Sequence, residues 1–196
     1  MRKVLAAAGT VALLASAALA QTATPQSGGS LADKLINQPG TAPWYVFGAS
    51  QTNEALPNGG PQGYPATRVT VAAKGANPWD AGAVSPIAKP IGAGDTLLVA
   101  VYLRAPMLKD GETTPISYFG LGQSAAPYEM IVSGSANLTN QWKLFYASGK
   151  AAKAYPAEGV SVGVHLAADK HVVDLGPVKV FDLGPDFDPA RLPKNQ

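Results

Sequence analysis

The run Asp95-Thr-Leu-Leu-Val-Ala-Val-Tyr-Leu-Arg104 constrains this chain more than any other segment. Side chains alternate across an extended strand, so Leu97, Val99, Val101 and Leu103 share one face while Leu98, Ala100, Tyr102 and Arg104 share the other. The first face is apolar and belongs in a core. The second ends in an aromatic ring and a guanidinium, which suits a sheet face that meets solvent or a ligand. A rigid turn, Asn77-Pro78-Trp79-Asp80, precedes this strand and leads to it through Gly92 and Gly94.

Further extended segments follow the same logic. Trp44–Phe47, Arg68–Val71, Ile116–Leu121, Tyr128–Val132, Asn140–Ala147, Val160–Leu166, His171–Val173 and Pro177–Phe181 read as strands. Within the fifth of these, Trp142, Leu144 and Tyr146 fall in register, and Trp142 reads as a packing anchor of the core. Pro57-Asn-Gly-Gly-Pro61 is a loop by its turn chemistry, and Leu31–Ile36 has room for one helical turn. With 21 Gly, 17 Pro and no helical stretch between strands, the chain is expected to be all-β, a two-sheet antiparallel β-sandwich or a barrel. One domain is expected, residues 33–183. A Gly/Ser-rich flexible leader (21–32) precedes it, and a loosely ordered Pro-rich tail (184–196) follows.

The first twenty residues carry Arg2 and Lys3, then an apolar run, then Ala18-Leu19-Ala20. That succession reads as a signal peptide cleaved after Ala20, so the mature chain is expected to be secreted or periplasmic and not inserted in a membrane. Removing it leaves 13 basic and 13 acidic residues. A neutral chain without a basic block is a poor binder of nucleic acid or of anionic membranes, because both require clustered Lys and Arg. Neutral ligands fit better. Cysteine is absent, which excludes thiolate nucleophiles and Cys-ligated metal centres and leaves the apolar core to hold the fold.

The order of elements carries a resemblance. A Pro-Trp-Asp turn at Pro78–Asp80 leads to the Gly94-Asp-Thr-Leu97 strand that ends in Tyr102, Arg104 and Ala105. A strand bearing Trp142 follows, then Val162-Gly-Val-His-Leu166, then a closing strand. Over roughly residues 63–181 this resembles the CenC-like carbohydrate-binding modules of families 4, 9 and 22, found beside xylanases and endoglucanases. The resemblance implies a β-jelly roll of the galactose-binding-domain-like group, with a neutral poly- or oligosaccharide held on a concave sheet face. Aromatic rings stack on the apolar faces of pyranoses, and polar side chains bond their hydroxyls. Similar modules often hold a structural calcium through an acidic pair before the last strand. Here Leu175-Gly176-Pro177-Val178 stands at that place, and Asp174 next door is one carboxylate where six to eight oxygens are needed. No cofactor is therefore expected.

The candidate carbohydrate-binding residues are Tyr102, Arg104, His165, Trp79, Tyr118 and Gln123. If their strands share a sheet, Tyr102, Arg104 and His165 line one shallow groove, with Gly163 leaving room for a ligand to approach the backbone. Trp79 is placed either to stack on a sugar or to plug one end of the sandwich. His165 and His171 with Asp169 and Asp174 are too loosely spaced to nominate a metal site. No nucleophile elbow and no facing carboxylate pair is evident, so the chain is read as a non-enzyme. A separate glycan-degrading enzyme is the natural partner, because sugar-binding modules usually sit beside one. Two alternatives stay open: a cell-envelope structural or protein-interaction sandwich without sugar binding, and a small glycan-active enzyme seeded by Tyr102, Arg104 and His165.

Overall fold

The computed structural model describes residues 30–39 and 44–195, so the signal-peptide segment and leader residues 21–29 lie outside the described residues. Ten strands carry the fold: β1 (Tyr45–Gly48), β2 (Gln51–Leu56), β3 (Ala66–Val71), β4 (Ala81–Pro86), β5 (Thr96–Arg104), β6 (Thr114–Gln123), β7 (Met130–Leu138), β8 (Lys143–Lys150), β9 (Val160–His165) and β10 (His171–Asp182). They form two antiparallel five-stranded sheets. Sheet I has the order β1-β4-β9-β6-β7 and sheet II the order β2-β3-β10-β5-β8. The core lies between them, where Val99, Val101 and Leu103 of β5 meet Phe119 and Leu121 of β6 and Val162 and Val164 of β9, all fully buried. Phe119 and Phe145 join the sheets edge to face, with ring centroids 6.3 Å apart.

The alternation expected for β5 is observed, and its inward face is the core. Two strands carry no periodic signal and are visible only in the structure. β2 is an edge strand, largely exposed and held by backbone pairing to β3, so nothing selects apolar residues along it. β4 (Ala-Gly-Ala-Val-Ser-Pro) is buried but built of small residues, whose alternation is too shallow to read. The register of β8 is the reverse of expectation. Phe145 and Ala147 face the core, whereas Trp142, Leu144 and Tyr146 lie on the outer side, half-buried.

His171–Val173 and Pro177–Phe181 belong to one strand. Its register against β5 shifts between Leu175 and Val178, because Pro177 has no N–H to give the ladder. Carbonyls around this bulge find other donors: Trp44 Nε1–H donates to Gly176 O at 2.9 Å, and Asn37 Nδ2–H to Val178 O at 2.9 Å. Gly176 is obligatory here, since a Cβ would sit 2.9 Å from Tyr102 Cβ and 3.0 Å from the Trp142 ring.

The Pro-rich tail is not loose, a correction to the sequence reading. Leu192 is buried with Leu98 and Phe181, and Thr96 Oγ1–H donates to Phe187 O at 3.1 Å. Asn195 brackets the edge of β8, accepting from Tyr146 N–H at 2.7 Å and donating to Tyr146 O at 2.9 Å. The tail thus covers one end of the outer face of sheet II. Among the described residues, none covers the outer face of sheet I in this way.

Candidate functional site

Cross-strand register decides which candidates can meet. On the outer face of sheet I, Phe47 (β1) lies opposite Gly82 (β4), and Gly82 opposite His165 (β9). The next rung reads Tyr45, Val84, Gly163, Gly120 and Ser133 from β1 to β7. The rung beyond it brings Pro86, Ser161, Gly122 and Met130 together. Bulk therefore stands on the outer rungs, while the middle rung is floored by Val84 and Gly163. The result is a trough of about 780 Å³ crossing the strands.

One wall is aromatic. Tyr118 of β6 packs on His165 with centroids 4.5 Å apart, and Trp79 meets the other side of the imidazole edge-on at 6.0 Å. Trp79 is 54% exposed, so it stands beside the trough and does not plug the sandwich. Its turn is fixed by Asp80, whose carboxylate accepts from Asn77 N–H at 2.8 Å. Tyr128, Met130 and Ser124 form the opposite rim, with Tyr128 68% exposed. Tyr128 adopts φ +56°, a conformation costly for a bulky side chain. The segment is held from behind: Glu129 accepts from Lys153 at 2.7 Å and from Tyr155 O–H at 3.0 Å. These bonds, Lys153 first, keep its carboxyl below the ordinary range.

Among the described residues, no charged side chain lines the trough. Burial raises the Tyr118 phenol to about 12, so it stays a hydroxyl donor, and burial lowers His165, so its ring is neutral at pH 7. The polar groups are few. Ser124 and Ser161 hydroxyls pair at 2.9 Å, whereas Gln123 Oε1 is buried without a partner among the described residues. A buried unpaired acceptor costs about 1–3 kcal/mol.

Trp79, Tyr118, Gln123 and His165 are thus brought together as candidates. Tyr102 and Arg104 are not: β5 lies in sheet II, so the expected common groove of Tyr102, Arg104 and His165 does not exist. Arg104 instead donates through Nε to Asp174 Oδ2 at 2.7 Å and lies 4.7 Å above the Trp142 ring. Asp174, fully buried, also accepts from Arg68 Nε at 2.7 Å, so the carboxylate considered for calcium is occupied by two guanidiniums. Phe47, Tyr128 and Met130 were not nominated from the sequence. Phe47 lay inside an unremarkable strand, and only the Pro127-Tyr128 pair hinted at a displayed ring.

His171 lies away from the trough. Its Nε2–H donates to Leu166 O at 2.8 Å, so Nδ1 is the acceptor from Thr114 O–H at 2.8 Å, and the ring is neutral. Burial lowers both histidines below their ordinary 6.5, while the Leu166 bond pulls His171 weakly the other way. The unfolded chain then takes up protons first as pH falls. Stability should be full above about pH 6.5 and decline below it. Urea midpoints at pH 7.5 and 5.0 should show this drop, and His171→Gln should reduce it.

Comparison with family models and with curated proteins finds no match. Solved structures do match. The CBM22-1–GH10 modules of Clostridium thermocellum endo-1,4-β-D-xylanase 10B, complexed with xylohexaose, align with TM-score 0.56 and 14% identity over 81% of this chain. The chain spans only 30% of that protein's length. The second N-terminal cellulose-binding domain of Cellulomonas fimi β-1,4-glucanase C aligns at TM-score 0.54 and 22% identity, covering 82% of this chain and 98% of that one. The first such domain gives 0.52 and 20%, over 71% and 88%. The chain therefore has the two-sheet β-jelly-roll fold of the CenC-like carbohydrate-binding modules.

Proposed function

We propose that this protein is an exported, non-catalytic module that binds a neutral poly- or oligosaccharide in the trough of sheet I. The observation that carries this reading is a glycine-floored channel with aromatic walls, no charged lining and one unpaired buried acceptor. Pyranose rings offer apolar faces to Trp79, Tyr118 and Phe47, and their hydroxyls offer donors to Gln123. The xylohexaose and cellulose named for the structural neighbours support the same ligand class. Hydrolysis of a glycosidic bond takes two carboxyl groups facing the sugar, and among the described residues no Asp or Glu lines this trough. No helix among the described residues is long and apolar enough to cross a membrane. A separate glycan-degrading enzyme would consume what this module holds.

The test is fluorescence titration and gel retardation of residues 21–196 against xylan, β-glucan, mannan and galactan. Saturable binding should appear, insensitive to salt because no charge lines the site. Trp79→Ala should weaken it about tenfold, the scale of one desolvated stacking contact, and Tyr102→Ala on the opposite sheet should leave it unchanged. Binding lost through Tyr102 and not Trp79 would place the sugar on sheet II. Failure with every glycan would favour the envelope interaction domain.

A further inference from the structure

The trough does not end at its apparent wall on the β1 side. Val84 and Gly163 floor the middle rung, which runs on to Gly120 on one side and, at the sheet edge, to Tyr45 on the other. Tyr45 shares its outward face with Phe47, because Val46 between them packs towards the core. It is 59% exposed and stands beyond the cavity itself, level with its floor. Strands in a sheet lie about 4.8 Å apart, so the lane from β7, where Met130 lines the trough, to Tyr45 on β1 crosses four spacings, about 19 Å. Phe47 cannot serve this outer position. Its ring is folded over Gly82, where a Cβ would sit 2.7 Å from Phe47 Cζ.

We infer that a bound sugar chain runs across the strands along this middle rung and leaves the sheet over β1, where Tyr45 is a distal stacking platform for the units that overhang the trough. This rests on the proposed sugar-binding reading and deepens it, by assigning the direction of the chain and a residue that reads its length. Short ligands fill the trough between β7 and Val84 on β4 and stop short of Tyr45. Longer ones gain one further ring contact there. Affinity therefore rises with chain length, and Tyr45 is the cause of the rise.

Calorimetric titration with xylo- and cello-oligosaccharides of three and six units tests this on wild type, Tyr45→Ala and Tyr45→Phe. The wild type should bind the hexasaccharide about fivefold more tightly than the trisaccharide, the scale of one exposed stacking contact. Tyr45→Ala should remove that difference and leave trisaccharide affinity unchanged, while Tyr45→Phe should keep it. Melting temperatures should not move, since the side chain is mostly solvated. An equal loss on both lengths, an unaltered preference for the hexasaccharide, or a wild type indifferent to length would overturn the platform while leaving the sugar-binding reading intact. A wild type that binds neither oligosaccharide nor any polysaccharide would overturn both.

Discussion

Gly163→Val should abolish polysaccharide binding while leaving the protein folded. Gly163 lies at the centre of the trough floor, and a Cβ added there would touch only Tyr118 Cε1, at an ordinary 3.4 Å. The position has no left-handed backbone requirement, and valine is a better strand former than glycine, so the fold has little to lose. The two γ-methyl groups would rise into the lane and lift a sugar ring off Trp79, Tyr118 and Gln123. Losing one or two stacking contacts and a hydrogen bond, each of about 1 kcal/mol, amounts to about 2–3 kcal/mol, or roughly 100-fold in affinity. Gly163→Ala should fall between wild type and valine. Thermal melting within about 2 °C of wild type, a change of 1 kcal/mol or less at this size, would show that the loss is local. Undiminished binding by a folded Gly163→Val protein would remove the ligand from sheet I. The neighbouring Gly120 cannot be used this way: a Cβ there would run into the Val132 carbonyl, and the sheet itself would have to shift.

That contrast shows what the sequence could and could not reveal. The sandwich was legible because β5, β6, β9 and β10 each carry a strong alternating or apolar run, and the order of motifs pointed to the jelly roll. Strands β2 and β4 were silent for opposite reasons, one too exposed and one too small-chained to leave a pattern. In the site, His165, Gly163, Tyr118, Trp79 and Gln123 could be nominated from their positions, but not their grouping. Whether Tyr102 and Arg104 join His165 depends on strand order, and strand order is a long-range property that no local period encodes. β5 and β9 lie in different sheets, so chemically suitable residues face opposite directions. The half of the rim formed by Tyr128 and Met130 depends on a loop fixed by Glu129, Lys153 and Tyr155, partners separated by 26 residues or so along the chain.

Arg104, which lies away from the trough, belongs to a buried polar cluster of sheet II. Asp174 on the central strand β10 lies opposite Arg68 of β3 on one side and opposite Arg104 of β5 on the other. Its two oxygens accept from Arg68 Nε at 2.7 Å, Arg68 Nη2 at 3.1 Å and Arg104 Nε at 2.7 Å, and no part of the carboxylate is exposed. Asp174→Asn would leave two guanidiniums converging on a neutral amide that must turn its own NH₂ towards one of them. Removing one partner of a buried charge pair typically costs about 3–5 kcal/mol. The lower end applies here, because the arginine side chains retain 24% and 25% exposure and can draw water. At this chain length about 3 kcal/mol corresponds to a fall in melting temperature of roughly 6–12 °C. Replacing all three together, Asp174→Leu with Arg68→Met and Arg104→Met, should recover most of that loss, since no buried charge is then left unpaired and Glu54, which loses its 3.6 Å contact with Arg68, is exposed. Both proteins should still bind polysaccharide when folded, because the trough lies on the other sheet. A stable Asp174→Asn protein would mean that solvent already screens the cluster. A folded one that had lost sugar binding would mean that the two faces of the sandwich are coupled through β10.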